Sequence, residues 1–311
     1  MFKKSIEFIS KFGRRSNNNF DYGLDIKRYV KQLNDNGFVI LDHLVGSKKF
    51  LKLKKEINNN FENDLNIQFP CLAQSKIKEK KHADLINSNF LSTNKVLEKR
   101  NLTFNRNDIK NYSEMIKKFS PSTLTLEMQD KISFFNFWLD ETVISIVQSY
   151  MGFVPEMVEA YTRRNFPCKY RVMNHFWHRD KNHSEHLLKA FIFFTDCDIN
   201  TGAHHYISGS VNDNKFTENR YFSDKEIHDS WPIDSKKHII SNVKAGSIII
   251  EDTRGLHKAG TPNINYRDLG YAVFLPPNLL RKNNKFYKIS RANYENLTKN
   301  QQLYIPNSSI I

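Results

Sequence analysis

The feature that most constrains the fold of this 311-residue chain is a series of short β-type segments in its second half. Runs of β-branched and aromatic residues are separated there by Gly, Asn, Asp or Pro. In chain order they are EMVEAYTRR, KYRVMNHFWH, LLKAFIFFTDC, HHYISG, HIISNVKAGSIIIED and LGYAVFLPP. Because no long helical segment lies between them, they predict an antiparallel sandwich or jelly roll.

The first half of the chain has a helical pattern instead. The segment DIKRYVKQLNDN predicts a helix that ends at a Gly37 turn, followed by a short strand over Phe38–Asp42. Helical spacing returns over 48–61 and 139–151, and the polar segment 71–130 shows modest helical periodicity. The sequence therefore predicts a mainly β chain with N-terminal helices, of the α+β class.

The domain organisation follows from this change of pattern. We predict a basic amphipathic segment at 1–20 and a single domain at 21–311. Its expected parts are a helical lid region, a jelly-roll core and a C-terminal extension, at about 21–154, 155–280 and 281–311. Lysines opposite apolar residues in the first segment are compatible with weak membrane-surface association, and a docked or frayed terminal helix is the alternative. No apolar run reaches the roughly 18 residues that a membrane-spanning helix requires.

The net charge of +14 is concentrated in residues 1–120. Such an excess attracts anions and favours an anionic substrate or an acidic partner, although a solvated helical surface also accounts for it. The sequence contains no nucleic-acid-binding motif. The three cysteines are scattered, without the spacing of a metal site or a disulfide framework. That usage is typical of a reducing compartment, and we predict a cytoplasmic location.

The stretch NHFWHRDKNH contains the most specific chemical signal. In a strand, residues i and i+2 share a face, so His178 and Asp180 would direct an imidazole and a carboxylate to one point. His257, which follows the apolar segment SIII, is the expected third ligand. Two histidines and one carboxylate leave open positions on one face of Fe(II), as in non-haem oxygenases. A second His-x-Asp, His82 and Asp84, lies in a lysine-rich helical segment, where i and i+2 diverge, and we reject it.

Three further residues are candidates for cofactor binding. Arg267 starts the last predicted strand, and its guanidinium can bind both oxygens of the far carboxylate of a 2-oxo acid. Asn174 shares the face of His178 if the strand is regular, and is predicted to contact cosubstrate or substrate; a satisfied strand-end amide is the alternative. Lys189, within the apolar run LLKAFIFF, points either inward to an acidic group or outward to the rim.

These motifs resemble those of the phytanoyl-CoA dioxygenase family of Fe(II)/2-oxoglutarate-dependent oxygenases. The resemblance covers residues 140–280 and, more weakly, 25–65. It is carried by WHRD at 177–180, TDCDINTGAHHYISGS at 195–210, AGSIIIEDTRGLHKAG at 245–260 and Arg267. It implies a double-stranded β-helix, the cupin-like jelly roll. It also implies that iron is held by His178, Asp180 and His257, and that 2-oxoglutarate is bound by Arg267.

The resemblance also implies an activity. The chain is expected to use Fe(II), 2-oxoglutarate and O2 to hydroxylate an unactivated C–H bond of a small or lipid-like molecule, releasing succinate and CO2. Family members that halogenate lack the metal carboxylate, so Asp180 favours hydroxylation. Three alternatives remain: a cupin-type isomerase or hydrolase with another metal, a hydroxylase of protein or nucleic acid, and a non-catalytic module whose basic N-terminal region binds an acidic partner.

Overall fold

The computed structural model describes residues 24–65, 68–78, 108–171, 173–180, 186–278 and 286–311. The predicted amphipathic segment 1–20 and the rejected pair His82 and Asp84 lie outside the described residues. The described α-helices are α1 Leu24–Asn36, α2 Lys48–Asn63, α3 Tyr112–Phe119, α4 Ile132–Trp138, α5 Glu141–Met151, α6 Asp224–His228, α7 Arg291–Glu295 and α8 Lys299–Gln302. No helix among them combines the length and apolar character needed to cross a membrane.

Ten strands in the described residues form two antiparallel sheets. They are β1 Phe38–Leu41, β2 Gln68–Ala73, β3 Pro121–Glu127, β4 Glu156–Asn165, β5 Leu188–Phe193, β6 His204–Ile207, β7 His238–Ile240, β8 Ile248–Glu251, β9 His257–Ala259 and β10 Arg267–Leu275. The large sheet has the order β1-β8-β5-β10-β4-β3-β2, and the small sheet has the order β7-β6-β9. The predicted class, mainly β with N-terminal helices, is confirmed.

The two faces of the large sheet bury different sets of residues. Alternate residues of β5, β8 and β10 belong to the main core, which the helices share; they are Ala190, Ile192, Ile248, Ile250, Ala272 and Phe274. The residues between them face the small sheet, where Phe191, Phe193 and Ile249 form a second cluster. The Phe191 ring lies 5.2 Å from the His204 ring of β6. Because strand side chains alternate in direction, the second face lines the space between the sheets.

Two local predictions for the sheet are wrong. The segment 71–130, in which modest helical periodicity is expected, contains the helix α3 but also the end of the edge strand β2 and the whole of its neighbour β3. KYRVMNHFWH does not form a strand: Met173–His175 is a 3-10 turn, and Trp177 and His178 make only isolated bridges, to Phe222 and His257. The division into one domain with a separate N-terminal segment stays a prediction.

Tyr206 joins the turn before β1 to the loop before β9. Its buried hydroxyl donates a hydrogen bond to the carbonyl of Asp252, with an O···O distance of 3.0 Å. A Cβ atom added to Gly37 would lie 2.1 Å from the hydroxyl oxygen of Tyr206, and one added to Gly255 would lie 1.8 Å from it. Neither distance is sterically allowed. The phenol of Tyr206 therefore occupies a space that is open only because Gly37 and Gly255 have no side chain.

A buried ion pair fixes helix α2 and helix α3 on the outer face of the large sheet. The guanidinium of Arg164 donates to both carboxylate oxygens of Asp268, each at 2.8 Å. It also donates to Asn58 of α2 at 2.7 Å and to the Tyr112 hydroxyl of α3 at 3.0 Å. The Arg164 side chain is 1% exposed. The guanidinium of Arg164 is thus hydrogen-bonded to protein groups rather than to water.

We expect Arg164→Met to lower the free energy of unfolding by about 3–5 kcal/mol, because the substitution leaves the buried Asp268 carboxylate without its partner. Urea denaturation followed by circular dichroism measures this change. The control is Lys225→Met, which removes an exposed ion pair with Asp229 and should cost about 0.5 kcal/mol or less. Similar effects of the two substitutions would contradict the structural role of the Arg164–Asp268 pair.

Candidate metal centre

The two histidines predicted as ligands are brought together by a backbone bridge. The N–H of His178 donates to the carbonyl of His257 at 2.9 Å, and the N–H of His257 donates back at 3.0 Å. In such a hydrogen-bonded antiparallel pair the two side chains lie on the same side. Their ring centroids are 4.3 Å apart. The N–H of Asp180 donates to the carbonyl of Thr253 at 2.9 Å, which anchors the third residue on the loop that precedes His257.

Backbone carbonyls fix the orientation of both imidazoles. Nδ1 of His178 lies 2.9 Å from the carbonyl oxygen of Phe176, and Nδ1 of His257 lies 3.0 Å from that of Gly255. Since a carbonyl only accepts hydrogen bonds, each Nδ1 carries the proton and each Nε2 keeps a free lone pair. The Nε2 atoms of His178 and His257 lie 3.9 Å and 3.8 Å from carboxylate oxygens of Asp180.

The protonation states suit metal binding. Burial lowers the pKa of His257 to about 3, and burial also lowers the pKa of His178. Burial alone would raise the pKa of Asp180, but the Lys189 ammonium and the two histidines hold it well below its usual range. At neutral pH the three side chains are therefore two neutral imidazoles and one carboxylate. These are the forms that a divalent metal ion requires of its ligands.

The donor set fits an iron ion. One ligand atom from each of His178, Asp180 and His257 lies within 4.8 Å of the other two, and no other described trio of His, Cys, Asp or Glu meets this limit. Two donors of one ion, each about 2.1 Å from it, cannot be more than about 4.2 Å apart, and the separations of 3.9 Å from His178 to Oδ1 and 3.8 Å from His257 to Oδ2 lie within that limit. Two imidazoles with one carboxylate form the set typical of Fe(II) sites that keep open coordination positions.

Lys189 points inward and contacts the carboxylate of this trio. Its Nζ lies 2.5 Å from Oδ2 of Asp180, and it is placed 5.4 Å from the ring centroid of Tyr271. The inward alternative, with an acidic partner, is therefore the one found. The ammonium donates to Oδ2 of Asp180, which also lies 3.8 Å from Nε2 of His257, while Oδ1 lies 3.9 Å from Nε2 of His178. Lys189 thus restricts the rotation of the Asp180 carboxylate.

Arg267 is a buried cation with no counter-charge among the described residues. It is 3% exposed. Its guanidinium donates to the carbonyl of Gly202 and, at 3.3 Å, to Oδ1 of Asn165. Its Nε has no hydrogen-bond partner, and no carboxylate of the described residues forms an ion pair with Arg267. Burial lowers its pKa. A buried charge is normally paired, so the site fits the carboxylate of a bound 2-oxo acid.

The charge of Arg267 acts toward the candidate metal site. Burial, followed by the charges of Arg267 and Lys189, lowers the pKa of His204 to about 3. The ring of His204 lies 5.6 Å from that of His257. Arg267 also has the strand parity of Leu269 and Tyr271, which pack against Phe191 and Phe193, so it lies on the sheet face that lines the space between the sheets.

The prediction for Asn174 assumed a regular strand, and that assumption is wrong. Asn174 is exposed and lies in the 3-10 turn Met173–His175, so it does not share a strand face with His178. The turn forms because this segment pairs with the rest of the protein only from Trp177 onward. A contact between Asn174 and cosubstrate or substrate stays a prediction that the local backbone does not favour.

A buried acid beside His257 was missed in the sequence. Oε2 of Glu251, at the end of β8, lies 2.7 Å from Nε2 of His204, and Oε1 lies 4.0 Å from Nδ1 of His257. The Glu251–His204 contact is short, but its angles do not fit a hydrogen bond. Burial raises the pKa of Glu251 to about 8, so both groups are neutral at pH 7. The sequence did contain a signal for it. Glu251 is two residues from Ile249 in the same strand, and Ile249 points into the space between the sheets.

Arg179, between the two ligands of the His-x-Asp motif, organises the loops around the site. Its side chain donates five hydrogen bonds of 2.7–3.2 Å to backbone carbonyls, and no acid takes part. The acceptors are the carbonyls of Ser210, Asp213, Lys215, Phe216 and Arg254. One guanidinium therefore holds the segment after β6 against the loop that carries His257. Its position between His178 and Asp180 indicates only that, in an extended segment, its side chain points away from theirs.

Solved structures with the same fold were found. The crystal structure of the non-haem alpha-ketoglutarate-dependent epimerase SnoN from nogalamycin biosynthesis has a TM-score of 0.52 and 10% identity, covering 81% of this chain and 83% of its own. SnoN in complex with Fe3+, alpha-ketoglutarate and nogalamycin RO also has a TM-score of 0.52 and 10% identity, covering 81% and 84%. At this identity the likeness shows the fold alone, and it confirms the predicted jelly roll.

No curated protein matches the chain. A family model described as phytanoyl-CoA dioxygenase matches residues 33–264, well over half of the sequence. The match contains all three candidate ligands, including His257 at the start of β9. Enzymes of this family use Fe(II), 2-oxoglutarate and O2. The chain therefore belongs to the phytanoyl-CoA dioxygenase family of Fe(II)/2-oxoglutarate-dependent enzymes.

Proposed function

We propose that this enzyme hydroxylates an unactivated C–H bond of a small molecule, with His178, Asp180 and His257 as its iron ligands. The observation that carries the proposal is the convergence of their donor atoms within 4.8 Å of one another. Both imidazoles keep Nε2 free because their Nδ1 atoms face backbone carbonyls. Iron bound by these residues would supply, together with 2-oxoglutarate and O2, the oxidation of the C–H bond: one oxygen atom of O2 would enter the hydroxylated product and the other the succinate formed with CO2.

The remaining side chains have positioning and binding roles in this proposal. Arg267 binds the far carboxylate of 2-oxoglutarate, because it is a buried guanidinium with an unpartnered Nε. Lys189 donates to Oδ2 of Asp180 and so orients this carboxylate toward the two histidines. A direct contact of Lys189 or Asn174 with the cosubstrate is a further expectation, which has less support. Arg179 keeps the surrounding loops in place.

Hydroxylation is the reaction that the residues favour among the outcomes open to the family. Asp180 supplies the metal carboxylate that halogenating members lack. The unpaired charge of Arg267 has no purpose in a non-catalytic module or in a cupin-type enzyme without a 2-oxo acid. The inner sheet face also carries partly exposed polar side chains, among them Glu159, Lys189 and Arg163. These polar groups favour a small polar substrate over a lipid-like one.

The expectation of an anionic substrate or acidic partner depended on the charge of residues 1–120, many of which lie outside the described residues. The described part of the site favours a different class, argued below. Weak membrane-surface association through the N-terminus, a cytoplasmic location and the single-domain organisation are kept as predictions.

The decisive test measures metal and cosubstrate together. Under anaerobic conditions, calorimetry should show that 2-oxoglutarate binds tightly only after Fe(II) has been added. In air, the loaded protein should release succinate slowly in the absence of substrate. The control is glutarate, which has both carboxylates but no keto oxygen to chelate the metal, and which should bind more weakly and yield no succinate. Binding of 2-oxoglutarate that does not depend on the metal would contradict the proposal.

A further inference from the structure

The inner face of β4 carries three functional side chains in a row along the strand. Glu159, Tyr161 and Arg163 are spaced by two residues and therefore point to the same side. The rings of Tyr161 and Tyr271 stack, with centroids 4.7 Å apart, and Lys189 lies over the Tyr271 ring. Because Lys189 contacts Asp180, this side of β4 is continuous with the candidate metal centre.

The strand register places Glu159 beside the metal end of this face. Val273 of β10 is paired with Glu159 on one side and with Lys189 on the other. Lys189 is in turn paired with Glu251 of β8. Glu159 and Lys189 therefore lie in one row, two strands or about 10 Å apart. The substrate of a 2-oxoglutarate-dependent enzyme must come close to the metal, and this row borders the space that it can occupy.

Arg163 and Arg267 mark the opposite end of the same face. Arg163 is paired with Leu269, two residues along β10 from Arg267. The charge of Arg163 also lowers the pKa of Arg267, after the larger effect of burial. The positive charge of Arg163 thus lies at the end of this face that is proposed to bind the cosubstrate carboxylate. At the other end, near the candidate metal centre, Glu159 is the charged side chain of β4 that can contact the substrate.

Glu159 is a partly buried carboxylate that has no partner among the described residues. None of the described residues forms a hydrogen bond or an ion pair with it, although its side chain is only partly exposed. Burial raises its pKa, and the charges of Lys189 and Arg163 oppose this effect. The Lys189 ammonium is already held by Asp180 at 2.5 Å. A carboxylate in this position lacks a donor, and leaving it so on substrate binding would be costly.

We propose that Glu159 binds a protonated amine of the primary substrate, so that the enzyme acts on small amine-bearing molecules. An ammonium group supplies the missing donors and compensates the carboxylate charge. A carboxylate group in the same place would add a like charge close to both Glu159 and Asp180, and a hydrocarbon chain would remove water from Glu159 without replacing it. The inference rests on the proposed function, because it takes the metal centre as the place of reaction.

The test compares three probes that share one carbon skeleton: 1-aminohexane, 1-hexanol and hexanoate. Each is titrated by calorimetry into the protein loaded with Ni(II), which replaces Fe(II) without supporting turnover, and with 2-oxoglutarate. The amine should bind at least about tenfold more tightly than hexanoate and than the alcohol. Glu159→Gln should remove that preference, whereas Glu159→Asp, which keeps the charge, should retain it.

The control variant is Glu127→Gln, which changes an exposed carboxylate at the end of β3. It should bind all three probes as the unsubstituted protein does. A stronger interaction with the alcohol or with hexanoate than with the amine, or an amine affinity unchanged in Glu159→Gln, would overturn the substrate class. Ni(II) and 2-oxoglutarate should still bind to Glu159→Gln. Their failure to bind to the unsubstituted protein would instead contradict the proposed function.

Discussion

Replacing His257 by alanine is expected to lower the Fe(II) affinity at least about hundredfold and to abolish succinate release. Loss of a residue that only supports a metal ligand typically costs 10–100-fold, and His257 is proposed to be a ligand itself. Its Nε2 is one of only three donors that converge here among the described residues. Anaerobic titration with Fe(II), followed by a succinate assay in air, measures both effects.

The fold should survive this substitution. His257 joins β9 to His178 through backbone hydrogen bonds, which alanine retains. Thermal unfolding of the metal-free variant therefore checks that the lost binding is local. The control is His186→Ala, which removes an exposed histidine that follows the His-x-Asp segment and should leave metal affinity unchanged. If His257→Ala bound Fe(II) and 2-oxoglutarate normally, the ligand assignment would be wrong.

Arg267→Met is expected to weaken 2-oxoglutarate binding by about 2–4 kcal/mol, or roughly 30- to 1000-fold, because a desolvated charge pair loses its cation. Fe(II) affinity should be unchanged, since Arg267 is not among the converging donors. Methionine fills a similar volume and preserves the packing of the guanidinium stem. Calorimetry with metal and with cosubstrate separates the two affinities.

A matched substitution sharpens this prediction. Arg164 and Arg267 are both buried, on paired strands, but only Arg164 has a carboxylate partner. Removing an uncompensated buried charge does not destabilise a protein in the way that breaking a buried pair does. Arg267→Met should therefore leave the free energy of unfolding unchanged or higher, whereas Arg164→Met should lower it. If Arg267→Met instead lost metal binding, Arg267 would be part of the metal centre and not the cosubstrate anchor.

The parts of the site that the sequence predicted are those with a local signal. His178 and Asp180 are two residues apart, and His257 follows an apolar strand that ends in a Gly255 turn. The strands β5, β8 and β10 are recognisable because short runs of β-branched and aromatic residues are typical of buried strands. The inward direction of Lys189 stayed undecided, since only the three-dimensional position of Asp180 determines it.

The failures concern residues whose state depends on distant partners. The segment before His178 has β-type composition, but it finds a partner only at single residues, so Asn174 lies in a turn. The strand β3 lies in the segment 71–130, whose sequence is polar with modest helical periodicity, and it forms because β2 and β4 pair with it on both sides. Glu159 and Arg267 have no ion-pair partner among the described residues. This depends on where other charged groups lie in three dimensions, which the spacing of residues in the sequence does not show.

The space occupied by Tyr206 has a consequence for how this protein can change in evolution. Its hydroxyl lies where side chains at Gly37 and Gly255 would be, so neither glycine can be replaced while the phenol remains. A smaller residue at position 206 would permit both replacements but would leave a void. The three positions should therefore vary together among descendants of one ancestor. Gly255 lies two residues before His257, in the loop between β8 and β9. Through Tyr206, the turn at Gly37 therefore limits which residues can occupy that loop.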